Sequence, residues 1–113
     1  MATEDDVRRI ALSLPATSER PTWGTPGFRV GDKLFARIRE NPDALVLWRP
    51  SVEDRDALIA ADPATFFTTD HYAGHASVLV RLAEVDAAEL RELLVEAWLC
   101  RAPARLRAAS DLR

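Results

Sequence analysis

The chain has 113 residues, of which 48% are hydrophobic and 29% charged, and its formal net charge is −3. This length predicts one domain over residues 1–113, and the composition is that of a folded protein rather than a disordered one. No apolar run approaches the roughly 20 residues that cross a bilayer, and the acidic N-terminus does not resemble a signal peptide. Cys100 is the only cysteine, which excludes an internal disulfide and favours a cytoplasmic location.

The first predicted element is a short amphipathic helix. Thr3 and Asp6 supply an N-terminal cap, and apolar residues recur at helical spacing until Pro15 ends the pattern. Residues Ala16–Pro26 include two prolines and a glycine and predict an irregular connection that carries Trp23. We expect Trp23 to cover one end of a sheet, and the alternative is that it lines a groove for a partner or ligand.

The segment Gly27–Glu40 predicts a β-hairpin whose register follows from its side-chain alternation. A three-residue loop, Gly31-Asp32-Lys33, brings five apolar side chains to one buried face, whereas a two-residue loop would divide them. These five are Phe28, Val30, Leu34, Ala36 and Ile38. The opposite face would then carry Arg29, Phe35, Arg37 and Arg39.

The middle of the chain predicts a turn, a strand and a helix. Asn41-Pro42-Asp43 has turn chemistry, and the apolar run Ala44–Arg49 is typical of a strand that is buried on both faces. We expect Trp48 in this strand to belong to the core. Ser51 would cap a second helix that continues to about Ala60.

The remaining chain predicts further strands and a last helix. Phe66–Thr69 is expected to be extended, the loop Asp70–His75 follows it, and Ser77–Leu82 reads as a strand. Asp86-Ala-Ala-Glu89 predicts the cap of a helix that Pro103 ends or kinks. The order of elements indicates an α+β fold. In this fold an antiparallel sheet packs against N-terminal, middle and C-terminal helices.

No residue pattern indicates a catalytic centre. Motifs for a nucleophile elbow, a phosphate-binding loop or a dinucleotide fold are missing, and Cys100 is expected to be a small apolar filler. Asp70, His71 and His75 include ligand types that bind metals, but the chain has no further histidine and no cysteine pair to complete a site. We therefore expect a non-enzymatic protein without metal or cofactor.

Basic residues of the predicted hairpin suggest contact with nucleic acid. Arg29, Arg37 and Arg39 would share a face, with Lys33 at the tip and Arg49 on the next strand, where they could reach phosphates. The alternative is that this face of the sheet simply meets solvent, where arginine is common.

The order and spacing of several motifs resemble the MmcQ/YjbR family of small bacterial proteins. The resemblance covers nearly the whole chain and rests on stretches in the first helix, the hairpin, the loop and the last helix. These stretches are Leu12-Ser-Leu-Pro15, Trp23-Gly-Thr-Pro-Gly-Phe-Arg-Val30, Lys33-Leu-Phe-Ala-Arg37, His71-Tyr-Ala-Gly74, Val78-Leu-Val-Arg-Leu82, Ala97-Trp98 and Arg101-Ala-Pro103. His75 departs from the pattern, because the family usually has an aromatic residue after the glycine.

The resemblance implies an α+β fold with two projecting β-hairpins, a double wing, and a DNA-binding role. The wings would be Arg29–Arg39 and Phe66–Arg81, which implies that the loop histidines and Arg81 approach one surface. Duplex DNA is then the expected partner, and the phosphate contacts are assigned to Arg29, Lys33, Arg37, Arg39 and Arg81. The alternative is a groove for a ligand or protein, lined by Trp23, His71, Tyr72 and His75, in a monomer or weak homo-oligomer.

Overall fold

The computed structural model describes residues 1–39 and 44–112, so the predicted turn Asn41-Pro42-Asp43 lies outside the described residues. The helices are α1 (Glu4–Ser13), α2 (Val52–Ala61), α3 (Ala87–Arg101) and α4 (Ala104–Ala109). The strands are β1 (Thr17–Thr22), β2 (Thr25–Val30), β3 (Lys33–Arg39), β4 (Ala44–Trp48), β5 (Phe66–Phe67) and β6 (Ser77–Val80). Single 3-10 turns cover Asp70–Tyr72 and Leu82–Glu84.

The six strands form one antiparallel sheet in the order β1-β2-β3-β4-β6-β5. The α+β prediction is confirmed, and both predicted hairpins are present as neighbouring strands of this continuous sheet. One face, the inner face, packs against α1 and α3 and holds the main core. The other face is the outer face, on which the loop 70–76 lies.

The helix caps follow the local sequence. Thr3, Ser51 and Asp86 each accept a hydrogen bond from the backbone N–H three residues later, which satisfies a donor that has no partner inside the helix. Helix α3 is bonded to the segment that follows α1, because the indole Nε1 of Trp98 donates to the carbonyl of Pro15 at 2.9 Å. None of the described helices is long and apolar enough to cross a membrane.

The predicted irregular connection Ala16–Pro26 is wrong, because most of it forms strand β1 and the start of β2. The two prolines that suggested a loop, Pro21 and Pro26, lie opposite each other in the β1–β2 ladder. Thr22 and Thr25 form the hydrogen-bonded pair next to the turn. Because bonded and non-bonded pairs alternate along an antiparallel ladder, the next pair, Pro21 and Pro26, is a non-bonded one. Their missing N–H groups therefore cost the ladder little, and β1 is an edge strand, where proline is tolerated.

The predicted three-residue loop of the second hairpin is also wrong. Val30 pairs with Lys33, so the loop contains two residues, with Gly31 at a φ of 59° in its first position. The register then shifts between Phe28 and Arg29, which leaves Phe35 as the extra residue of a β-bulge. Consequently Phe35 joins the core, and Leu34 moves to the outer face beside the arginines.

Three smaller differences affect the ends of elements. β5 and β6 are shorter than the predicted segments Phe66–Thr69 and Ser77–Leu82. Pro103 ends α3 as predicted, but it also precedes α4, which the sequence reading omitted. Helix α4 is six residues long, and its short pattern carries little periodic signal.

Candidate ligand-binding site

The outer face of the sheet carries a cavity of about 480 Å³. We call it the aromatic cavity, and its walls come from three separate parts of the chain. The β1–β2 turn, strands β3 and β4, and the loop 70–76 all contribute side chains. The lining residues are Trp23, Leu34, Arg37, Val46, Trp48, His71, Tyr72 and His75.

The loop that closes this cavity is held by a buried cation from helix α2. Arg55 is only 4% exposed, and its Nη1 donates to the carbonyls of Tyr72 and His75 at 2.9 and 3.0 Å. Its Nη2 also lies 3.0 Å from a carboxylate oxygen of Asp56. Hydrogen bonds from a charged donor are stronger than neutral ones, so the loop is fixed over the outer face.

Arg37 connects the opposite wall to this loop. Its Nη2 donates to the Tyr72 hydroxyl at 2.6 Å, and its Nη1 donates to Thr25 Oγ1 at 3.1 Å. The guanidinium lies 5.2 Å from the centre of the Trp23 ring, within the range of a cation–π contact. The strand β3 therefore presents a fixed positive charge to the cavity.

Aromatic rings line the same cavity and contact one another. The rings of His71 and Tyr72 meet edge to face at 4.8 Å, and those of Trp48 and His75 at 5.7 Å. Tyr72 and His75 are 6.2 Å apart in the same geometry. His75 thus contacts the rings of both Trp48 and Tyr72.

Trp23 does not cover the end of the sheet, contrary to the expectation from its sequence. It is 82% exposed and occupies the first position of the β1–β2 turn with a φ of 51°, followed by Gly24 at 82°. Positive φ at both positions defines a type I′ turn, which favours asparagine and glycine. A bulky residue with positive φ is an outlier whose strain suggests a role in function.

The five basic residues assigned to phosphate contacts occupy different environments. Arg29 donates from Nη1 to the carbonyl of Asp32 at 3.2 Å, and Lys33 is exposed beside the hairpin turn. Arg39 has a buried Nη1 without a hydrogen-bond partner among the described residues. Arg81 donates to two carbonyls of the 63–64 segment and lies 4.2 Å from the Phe67 ring centre, outside the aromatic cavity. The structure thus brings only Arg37 of the five to the cavity.

Arg49 is not a surface arginine, contrary to the expectation that it could reach phosphates from the next strand. It is 5% exposed, and its side chain lies 2.6 Å from Asp54 and 3.2 Å from Glu96. Burial lowers the pKa of Arg49, but the hydrogen bonds to Asp54 and Glu96 outweigh burial and raise it overall. This ion triad stabilises the junction of β4, α2 and α3. Because Asp54 and Glu96 neutralise its charge, Arg49 does not serve as a contact for a polyanion.

A second cavity, of about 650 Å³, lies beside that triad and includes Cys100 in its wall. Burial is the main cause that raises the pKa of the Cys100 thiol, so the thiol stays protonated and weakly nucleophilic near neutral pH. Across residues 1–39 and 44–112 no group of three or more His, Cys, Asp or Glu side chains is arranged to hold a metal ion.

Sequence reasoning identified four of the cavity residues, Trp23, His71, Tyr72 and His75, and it placed Arg37 on the correct face. It missed Leu34 because of the bulge at Phe35, and it assigned Trp48 to the core. Trp48 is partly buried and forms a wall shared by both cavities. The Arg101 guanidinium lies 4.8 Å from its ring centre, and no local sequence signal indicates that contact.

The fold and the cavity define a small α+β protein with an aromatic, cation-bearing site on one sheet face. The chain belongs to the YjbR family, whose model matches residues 12–100. It is 41% identical over 123 aligned residues to uncharacterized protein Rv2570 of Mycobacterium tuberculosis and to uncharacterized protein Mb2600 of Mycobacterium bovis. Each alignment covers 94% of this chain and 93% of the relative. No solved structure matches the chain.

Proposed function

We propose that this protein is a non-enzymatic binding module that holds a small planar organic molecule in the aromatic cavity. The observation that carries the proposal is the convergence of Trp23, Trp48, Tyr72 and both histidines on one concave site. Ligand sites in proteins are usually concave, largely apolar and supplied with a few fixed polar groups. The single free cysteine supports a cytoplasmic place of action.

The dimensions of the cavity support a ligand of one or two rings. A volume of about 480 Å³ lies within the usual range of small-molecule sites, roughly 300–1,000 Å³. Leu34 and Val46 supply an apolar floor, and the rings above them offer faces and edges for stacking. Because Arg37 and Arg55 fix the walls, little ordering accompanies binding.

A thermal-shift screen of planar metabolites tests this function. A ligand at ten times its Kd stabilises the folded state by about 1.4 kcal/mol, which raises the Tm of a chain this size by about 5 °C or more. We expect hits on the native protein to lose most of their shift in Trp23→Ala and His71→Ala. Leu12→Ala, an exposed change on α1, is the matched control and should retain the shift. A flat screen, or hits that both site variants retain in full, would contradict the proposal.

Binding of duplex DNA is a second candidate function, favoured by the charge of the outer face. The ion pairs of the described residues involve five other arginines, namely Arg8, Arg9, Arg20, Arg49 and Arg55. Arg29, Lys33, Arg37, Arg39 and Arg81 have no carboxylate partner within the described part of the chain. The β2–β3 hairpin therefore presents positive charge that phosphates can neutralise.

A salt titration separates this candidate from the first. DNA binding through phosphates weakens steeply as salt rises, with a log–log slope of about −0.9 for each phosphate neutralised. We expect the double variant Arg29→Ala with Lys33→Ala to reduce the affinity and the slope, while small-molecule binding in the cavity is unchanged. The absence of binding at low salt, or binding that the double variant leaves intact, would refute the DNA hypothesis.

A further inference from the structure

We propose that the aromatic cavity selects planar aromatic carboxylates, with Arg37 as the group that binds the anion. This inference rests on the proposed function and names the chemical class of its ligand. Three features of the site carry it: an unneutralised cation, unused N–H donors on that cation, and flat apolar walls around it.

The charge of Arg37 is not neutralised by a carboxylate among the described residues. Its hydrogen-bond acceptors are the Tyr72 hydroxyl, the Thr25 hydroxyl and the carbonyl of Ile38, all of which are neutral. By contrast, the partly buried Arg8 contacts three carboxylates and Arg49 contacts two. A half-buried guanidinium without a counter-ion favours an anion from outside the chain.

Arg37 also retains hydrogen-bonding capacity for such an anion. A guanidinium has five N–H groups, and the bonds formed within the described chain use two at Nη1 and one at Nη2. The Nε–H and one Nη2–H are left. This pair matches a carboxylate, because arginine binds the two oxygens of that group through parallel N–H donors.

The walls favour a flat, apolar body attached to the carboxylate. Trp23 lines the site from the β1–β2 turn and Trp48 from strand β4, and the rings of His71, Tyr72 and His75 line it from the loop. Aromatic faces and edges bind planar rings better than saturated ones of equal size. Among the described residues no Asp or Glu lines the cavity, so this lining offers a cationic ligand no partner. The single charge of Arg37 balances a carboxylate monoanion, whereas a phosphate dianion would keep a net negative charge.

Three probes of similar size test the inference. They are 2-naphthoate, its neutral amide 2-naphthamide, and the saturated bicyclic acid decahydro-2-naphthoate, each titrated into the native protein by calorimetry or ligand-observed NMR. We expect naphthoate to bind about tenfold tighter or more than naphthamide, since a hydrogen bond to a charged group is worth at least that factor. Decahydro-2-naphthoate should bind roughly two- to tenfold more weakly than naphthoate because it buries a similar area but cannot stack.

Arg37→Gln keeps hydrogen-bonding groups near Tyr72 and Thr25 but removes the charge, so it should abolish the preference for naphthoate over naphthamide. Arg37→Lys is the second variant and should keep a reduced preference through its charge. Arg29→Gln, on the same face outside the cavity, is the control and should keep the full preference. Equal affinity of the acid and the amide in the native protein would overturn anion selectivity and leave ring binding intact. If neither naphthyl probe binds, this inference is wrong. The thermal-shift screen of metabolites then decides independently whether the proposed function holds.

Discussion

Trp23 is the residue at which local stability and the proposed function oppose each other. A non-glycine residue in the left-handed region costs of the order of 1 kcal/mol, and the 82% exposure of this side chain means that little burial offsets that cost. The compensating contact within the described chain is the Arg37 guanidinium, 5.2 Å from the ring centre. A strained, exposed tryptophan at the rim of an aromatic cavity is the pattern expected of a ligand contact.

We therefore expect Trp23→Asn to stabilise the protein and to weaken ligand binding. Asparagine suits the first position of a type I′ turn, so the free energy of unfolding should rise by about 0.5–1 kcal/mol. Affinity for a ring-containing ligand should fall, because one stacking wall is removed. Urea denaturation measures the first effect and titration the second; a variant less stable than the native protein would show that Trp23 has a structural role instead.

Cys100 gives a pH-dependent prediction at the same scale. Mainly because of burial, the pKa of its thiol is raised above the ordinary value of 9.0. The folded state thus holds this proton more tightly than the unfolded state, and the resulting stability is present below pH 9.0 and lost as the pH rises through the folded-state pKa. Alkylation by iodoacetamide should become fast only at higher pH than in the urea-unfolded chain. A native alkylation profile that coincides with the unfolded one would contradict this prediction.

At the scale of elements, the loop 70–76 depends on helix α2. Arg55 supplies charged hydrogen bonds to the carbonyls of Tyr72 and His75 from a nearly buried position. This contact spans two elements, so the short 3-10 turn at Asp70–Tyr72 does not have to be stable alone. How rigidly this wall of the cavity is held therefore depends on α2 as well as on the loop itself.

Arg55→Met should consequently loosen the loop as well as destabilise the fold. Methionine fills a similar volume but leaves two carbonyls without their charged donor, which costs about 2–3 kcal/mol. Amide exchange at residues 71–76 should accelerate more than exchange in α3, and ligand affinity should fall. Arg91→Met, at an exposed site on α3, serves as the control with little effect on either. Uniform acceleration across the chain would indicate a global loss of stability rather than a local anchor.

The same elements show which parts of the fold the sequence predicts. Caps such as Thr3, Ser51 and Asp86 act within one turn, so local sequence identifies the starts of α1, α2 and α3. Strand β1 was missed because its prolines look like loop residues until their pairing partners are known. The bulge at Phe35 was missed because alternation alone assumes an uninterrupted register.

At the scale of the whole molecule, the fold brings together segments that are distant in the chain. Trp23, Trp48 and His75 are far apart in the chain, and the sheet order brings them to one cavity. The sequence indicated the residue types of the site and the face of Arg37. The second wall at Trp48, and its contact with Arg101 of α3, depend on tertiary packing that no local pattern encodes.

The core connects these parts in a way that predicts one cooperative unfolding transition. Apolar residues from α1, β2, β3, β4, β6 and α3 form one contiguous cluster on the inner face, and the Trp98 indole donates to the carbonyl of Pro15, just after α1. A smaller buried cluster on the outer face is shared between β4 and β6, so it does not belong to one hairpin, and isolated hairpins are marginal in water. We therefore expect urea unfolding followed by tryptophan fluorescence and by far-UV circular dichroism to give coincident midpoints, as two-state folding requires. Separate midpoints, with the outer-face loop lost first, would instead divide the chain into two units of stability.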